Sequence, residues 1–345
     1  MNVYQSLETQ RTQAARGCPL SSDLTMDQVM AVASDVFHEM QRDFEFVFHT
    51  LRGETSLGDP SFRVPLNDGV LEVVARSLGY CIPMALLLVF IHFAVSPIVL
   101  SVLRVPPDLR DKFVLPLRET VFYSLSCLLN VWMYWHTPWA WWTSGYKDVF
   151  RTDTVSTFQP EDATSPGVRV SYFFEVSWYL CTLFLLFIDF KRKDFLVMLC
   201  HHLVTLMLLT LSWSVGWTRA GVVLLLLHDF SDVFLNFGKM GSYLDAEIPA
   251  NGSFVIFVVS WGFLRLYCLP RVIYECFALS PFLLDFSVSG AYAWKTRALV
   301  WGMSALVVMH IYWYALILKM AVGMLMGEEK VVKDTREANH KPKQH

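Results

Sequence analysis

The sequence predicts an all-α polytopic membrane protein of about seven transmembrane helices enclosing an intramembrane cavity, and three observations carry that prediction. Apolar runs long enough to cross about 30 Å of hydrocarbon recur along the chain. Of its 345 residues, 54% are hydrophobic and the mean hydropathy is positive. The formal net charge is only −3, and basic residues gather between the apolar runs. Together these exclude a soluble globular core and a nucleic-acid binder.

The chain divides into three parts from N- to C-terminus: a polar, amphipathic extension (1–75), a transmembrane domain (76–322) and a basic tail (323–345). The first residues lack a basic region followed by an apolar one, so no cleavable signal peptide is expected. Within the extension, Met26–Leu51 reads as an amphipathic helix lying on a surface or interface. The expected spans are Gly79–Leu103, Leu117–Tyr134, Tyr172–Ile188, Phe195–Trp213, Trp217–Phe237, Phe254–Tyr274 and Ala298–Lys319. The second and third carry polar residues and are expected to tilt or shorten. Pro138–Ser171 is a polar loop with Trp139, Trp141 and Trp142 at the interface. A short turn around Ser214–Thr218, containing Gly216, makes spans four and five an antiparallel hairpin.

Basic residues fall between spans one and two (Arg104, Arg110, Lys112, Arg118), between spans three and four (Lys191, Arg192, Lys193) and in the tail. With seven spans these segments share one side, which the positive-inside rule makes cytosolic; the N-terminus is then lumenal. The chain ends Lys341-Pro342-Lys343-Gln344-His345, a K-x-K-x-x tail of the kind retrieved to the endoplasmic reticulum. The sequon Asn251-Gly252-Ser253 falls in the cytosolic loop after span five and is expected to stay unmodified. The seven cysteines lie mostly in apolar segments and form no C-x-x-C pair, so they read as buried hydrophobes.

Spans four and five contain the anomaly. His201 and His202 lie in one, and His228, Asp229 and Asp232 in the other. A charged group at mid-membrane costs roughly 2.5–3.5 kcal/mol on insertion scales, so such residues mark function by default. His201 lies seven residues past Asp194, and Asp232 seven residues before Lys239. At about 1.5 Å per residue both sit roughly 10 Å below the cytosolic end. The spacing of Asp229 and Asp232 puts both carboxylates on one helix face, with His228 close to it. Adjacent histidines point about 100° apart, so His201 and His202 are expected to play different parts. An imidazole exchanges a proton near neutral pH and can carry an acyl group.

Interhelical packing alone needs fewer and uncharged groups than these five. His and Asp are suitable metal ligands, but the other histidines, among them His38, His49, His92, His136 and His310, are scattered and no metal is assigned. Lys191, Arg192 and Lys193 read either as a positive-inside anchor or as a phosphate site at a helix N-terminus. Arg219 is expected to snorkel to the interface. Arg265, beside Tyr267 and deep in span six, is left open between a site role and a structural pair.

Asp189-Phe190-Lys191-Arg192-Lys193-Asp194-Phe195, continuing through Met198, His201, His202, Thr205, Leu208 and Ser212, resembles the longevity-assurance motif of the ceramide synthase family of TLC-domain proteins. The likeness extends through Arg219, Gly221, His228-Asp229, Asp232, Leu235 and Lys239. It resumes at Phe263-Leu264-Arg265-Leu266 with Pro270, and at His310-Ile311-Tyr312-Trp313. It covers about Lys112 to Lys319. Asn236 stands where many members have an acidic residue, Gly238 replaces a common alanine, and no Hox-like insert follows span one.

The resemblance implies N-acylation of a sphingoid long-chain base by fatty acyl-CoA in the endoplasmic reticulum membrane, with the cavity as the catalytic one. Acyl-CoA is then a co-substrate, no bound cofactor is expected, and the partners are the sphingoid base and the bilayer. A homo- or heterodimer is left open. His201, His202, His228, Asp229 and Asp232 are the implied catalytic residues, with His201 favoured as acyl carrier. Lys191, Arg192, Lys193, Arg265 and Tyr267 are assigned to substrate binding. Acyl selectivity is expected in the segment Cys276–Lys295, with Pro281 and Phe282. The competing expectation is a non-catalytic TLC-domain protein that binds or senses lipid or assists translocation.

Overall fold

In the computed structural model residues 25–52, 77–134, 166–188, 193–215, 217–279, 283–287 and 290–326 are described, and every regular element among them is helical. The sequence features at Pro138–Trp142, Lys191, Arg192, Gly216, Pro281, Phe282 and the basic tail from residue 327 onward lie outside these residues.

Helix α1 (Met26–Leu51) coincides with the amphipathic stretch of the extension. The first span is built from α2 (Ile82–Phe90) and α3 (Ser96–Val102), preceded and joined by the π-helical turns Ser77–Cys81 and Ile91–Val95. There follow α4 (Arg110–Tyr134), α5 (Pro166–Ile188), α6 (Phe195–Val215), α7 (Thr218–Tyr243) and α8 (Glu247–Phe263). A third π-helical turn, Leu264–Cys268, leads into α9 (Leu269–Leu279), and α10 (Ala291–Leu325) closes the bundle. Among the described residues six helices are long and apolar enough to cross a membrane: Gly79–Val102, Gly167–Ile188, Phe195–Val215, Ala220–Tyr243, Glu247–Phe277 and Ala293–Leu325. The remaining expected span is helical, as α4, but Arg110, Asp111, Lys112, Arg118 and Glu119 make its first half too polar to join them. The sequon, expected in a loop, lies inside α8, because the turn after α7 ends at Ala246.

Each π turn ends two residues before a proline: Cys81 before Pro83, Val95 before Pro97, and Cys268 before Pro270. Proline has no N–H to give the helical ladder, and its ring crowds the carbonyl four residues back. A one-residue widening of the turn relieves that clash without breaking the span.

Helix α7 is the hub, packed along α4 on one side and α8 on the other, while α6 runs along α10. The expected α6–α7 hairpin is closed by the Trp217 N–H, which donates to Ser212 O at 2.8 Å. Beyond this turn the two helices touch little, and a cavity lies between them. Lipid tails are as apolar as leucine, so close packing and buried polar contacts hold such helices together. Between α4 and α5, Phe122 stacks on Trp178 with ring centroids 3.9 Å apart and planes at 7°. At the hairpin, the Tyr172 hydroxyl bonds Thr218 O at 3.2 Å and Ser212 Oγ at 3.1 Å. This hydroxyl occupies the place of the missing side chain of Gly221: a Cβ there would lie 1.7 Å from it.

Gly221→Ala is therefore expected to destabilise the bundle by about 1–3 kcal/mol through overpacking. Gly252→Ala, on a helix position with nothing within 4 Å, is expected to be neutral or mildly stabilising. Thermal unfolding of the two purified variants in one detergent checks the contrast; equal melting temperatures would contradict it.

Candidate active site

Helices α4, α5, α6, α7, α8 and α10 surround a cavity with His201 and His202 on one wall and His228, Asp232 and Arg265 on others. Its polar end carries Arg118, Glu119, Lys239 and Ser242. A smaller pocket, lined by leucines and Met303, adjoins it. Tyr179, His201 and His228 line both spaces and so form the wall between them.

The two adjacent histidines have different surroundings. His202 is buried, and its Nδ1 lies 2.7 Å from Met198 O, four residues back. A carbonyl only accepts, so this nitrogen bears the hydrogen. Its Nε2 lies 3.2 Å from the Thr182 hydroxyl of α5, so both ring nitrogens are engaged. His201 has no such tie among the described residues: its Nδ1 is buried without a partner, and its ring meets Trp313 edge-on at 5.5 Å. His228 repeats the His202 pattern, its Nδ1–H donating to Leu224 O at 2.6 Å. In the neutral ring its buried Nε2 then carries a lone pair, and that atom has no partner among the described residues.

Asp232 faces the cavity and pairs with Arg265, Nη2 to Oδ2 2.7 Å. The same nitrogen donates to His228 O at 2.7 Å, and the guanidinium lies 3.7 Å from the centre of the Trp261 ring. Arg265 sits in the π turn ahead of Pro270 and is 4% exposed. Asp229, one turn from Asp232, lines neither space. It turns toward α4, where Ser126 Oγ lies 2.5 Å from its Oδ2. The shared face expected for the two acids is thus divided between the cavity and the packed interior.

Of the residues assigned to substrate binding, only Arg265 borders the cavity among the described residues. Lys193 is exposed at the start of α6 and Tyr267, 61% exposed, stacks on Phe263 away from it. Sequence reasoning gave several neighbours no place in the site. His310 of α10 is fully buried, 5.0 Å from His228 and 6.5 Å from His201 between ring centres, with both nitrogens unpartnered among the described residues. Trp313, three residues on, donates from Nε1 to Asp194 Oδ2 at 3.0 Å and ties α10 to the start of α6. Glu175 of α5, 0% exposed, lies 2.6 Å from Ser126 Oγ. The signal was spacing: Ser171, Glu175, Trp178 and Thr182 form one stripe of α5, and Phe122, Ser126 and Asn130 one stripe of α4.

Outside the spans, Arg297 at the head of α10 donates to Asp285 O at 2.6 Å and Leu283 O at 3.4 Å. Bonds from the Ser287 hydroxyl and amide hold the Asp285 carboxyl below the usual carboxylate range.

The family described as TLC domain matches residues 113–319. The chain is 35% identical over 192 residues to "Ceramide synthase 1 LOH3" of Arabidopsis thaliana, covering 54% of this chain and 61% of that one. It is 32% identical over 228 residues to "Ceramide synthase LOH2" of the same plant, 63% of this chain and 71% of the relative. To "Ceramide synthase 5" of Homo sapiens it is 32% identical over 234 residues, 67% of this chain and 55% of the relative. The matched region thus spans 61% of the first of these relatives.

Removing one member of the Arg265–Asp232 pair leaves its partner without a counter-charge. Arg265→Met is expected to cost on the order of 3 kcal/mol, and the double variant Arg265→Met/Asp232→Leu less than the sum of the singles. A double-mutant cycle on thermal unfolding measures this; strict additivity would refute the coupling.

Proposed function

Since the chain belongs to the ceramide synthase family of TLC-domain proteins, we propose that it joins a fatty acyl group from acyl-CoA to the amine of a sphingoid base within the membrane. The observation that carries this reading is the position of His201, whose untied ring stands in the wall between a polar-ended cavity and an apolar pocket. Both substrates are amphiphiles, and such a wall lets tails and heads lie on opposite sides of the reacting atoms.

His201 attacks the thioester carbonyl, the C–S bond breaks, and CoA leaves as thiolate, which takes the N–H proton shed by the acylated ring to become the thiol. The acyl-imidazole is then attacked by the neutral amine, the amide C–N bond forms, and His201 is released. The amine's proton passes to a base, and His228 Nε2, whose lone pair is unclaimed among the described residues, is the base in reach of the same wall and returns that proton to the released His201 ring. His202, held at both nitrogens, orients α6 and its neighbour. Asp232 and Arg265 fix the main chain at His228, and Asp229 contributes negative charge beside it. The acyl tail takes the apolar pocket, whose α10 wall of Leu299 and Met303 begins next to Arg297 and the segment it holds.

The same reading puts the protein in the endoplasmic reticulum membrane with its C-terminus cytosolic, in keeping with the basic K-x-K-x-x tail. A microsomal assay with sphinganine and a panel of acyl-CoAs tests it. Wild-type protein is expected to form the amide, and His201→Ala to lose on the order of 10³-fold or more in rate. His202→Ala should lose less, roughly tenfold to a hundredfold. Full activity in His201→Ala would sink the mechanism; no amide from well-expressed wild type would favour a lipid-binding role. Met303→Ala is expected to move the acyl preference toward longer or bulkier chains, read as a shift in the ratio of products across the panel.

A further inference from the structure

Ser126 stands between two buried carboxyl groups. Its Oγ lies 2.6 Å from Glu175 Oε1 and 2.5 Å from Asp229 Oδ2, and the three residues are 1%, 0% and 1% exposed. Asn130 Nδ2 donates to the same oxygen at 3.2 Å, and the Ser171 hydroxyl donates to Asn130 Oδ1 at 2.7 Å. A serine hydroxyl has one hydrogen to give and two lone pairs to receive. One lone pair receives the Asn130 N–H, and the single hydrogen serves one carboxyl group. The other carboxyl reaches Ser126 at hydrogen-bond distance only by supplying a hydrogen of its own. Glu175 and Asp229 are also hydrogen-bonded directly to each other through their side chains, which two carboxylates cannot be, so one proton lies between the two acids.

We infer that Glu175 is a positioning residue that shares a single proton with Asp229 across Ser126 Oγ and so fixes the Asp229 carboxyl group. Asn130 completes the shell of the serine oxygen. The Asp232 charge is matched by Arg265, so the Glu175–Asp229 pair, with one proton between two carboxyl groups, is left as the unmatched negative charge beside His228. There it offsets the positive charge that His228 gains on accepting a proton. This use rests on the reaction proposed above; the proton shared by Glu175 and Asp229 does not.

Infrared spectroscopy of the purified full chain separates the two. Wild type is expected to show a carbonyl stretch of a protonated carboxyl group at neutral pH, shifted in D2O, that is absent from Glu175→Gln. An identical carboxyl region in wild type and Glu175→Gln would overturn the assignment, whether or not the protein makes amide. In the sphinganine assay Glu175→Gln, which can still donate to Ser126, is expected to stay within about threefold of wild type. Glu175→Leu should lower kcat by on the order of tenfold to a hundredfold with an unchanged KM for acyl-CoA. Glu175→Gln falling as far as Glu175→Leu, or Glu175→Leu matching wild type, would each refute the positioning role. Should Glu175→Leu fail to fold, the infrared comparison of wild type with Glu175→Gln decides.

Discussion

The guanidinium of Arg265 holds the middle of this bundle in place. A cation inside the apolar zone is tolerated only where the protein replaces what water would have supplied. Here three groups do so: the Asp232 carboxylate, the His228 carbonyl and the face of Trp261. Two of them belong to α7 and one to α8, so satisfying the charge also sets the rotation of one helix against the other. His228 and the two aspartates inherit their directions from that setting. The π turn that presents Arg265 exists because Pro270 cannot continue the ladder.

Much of the fold was legible because hydrocarbon imposes length and apolarity on anything that crosses it. The expected spans, the hairpin at Trp217 and the helix Met26–Leu51 all have counterparts in the structure. Helix starts were harder to see, since α5 begins at Pro166 and α10 at Ala291, where polar residues continue helices beyond the apolar run. The bringing together of His201, His202, His228 and Asp232 around one cavity agrees with depth counting along the hairpin.

Rotation was the concealed quantity. Counting gives height, and height does not tell that Asp229 turns inward to Ser126 while Asp232 turns to Arg265. Nor does it reveal that α10 brings His310 and Trp313 beside the hairpin, because those contacts join residues more than eighty positions apart in the chain. Glu175 was overlooked for a different reason. A lone acid in FFEVSW looks like a weak point of a span until Ser126 and Asn130 on α4 are seen to meet it. Buried polar groups in such a bundle are understood in sets, each donor with its acceptor.

The π turns also set the phase of the helical segments after them. Each carries one residue more than a regular α-helical turn, and one residue advances a helix by about 100°. Everything after Leu264–Cys268, including Leu269, Val272 and Cys276 on the buried side, is indexed to that extra residue. A one-residue deletion there would shorten the span by only about 1.5 Å. It would nevertheless roll the whole of α9 by more than a quarter turn, moving Tyr274, now exposed, off its present face and Val272 and Cys276 out of the interior. At these three points the bundle tolerates changes of side chain far better than changes of length.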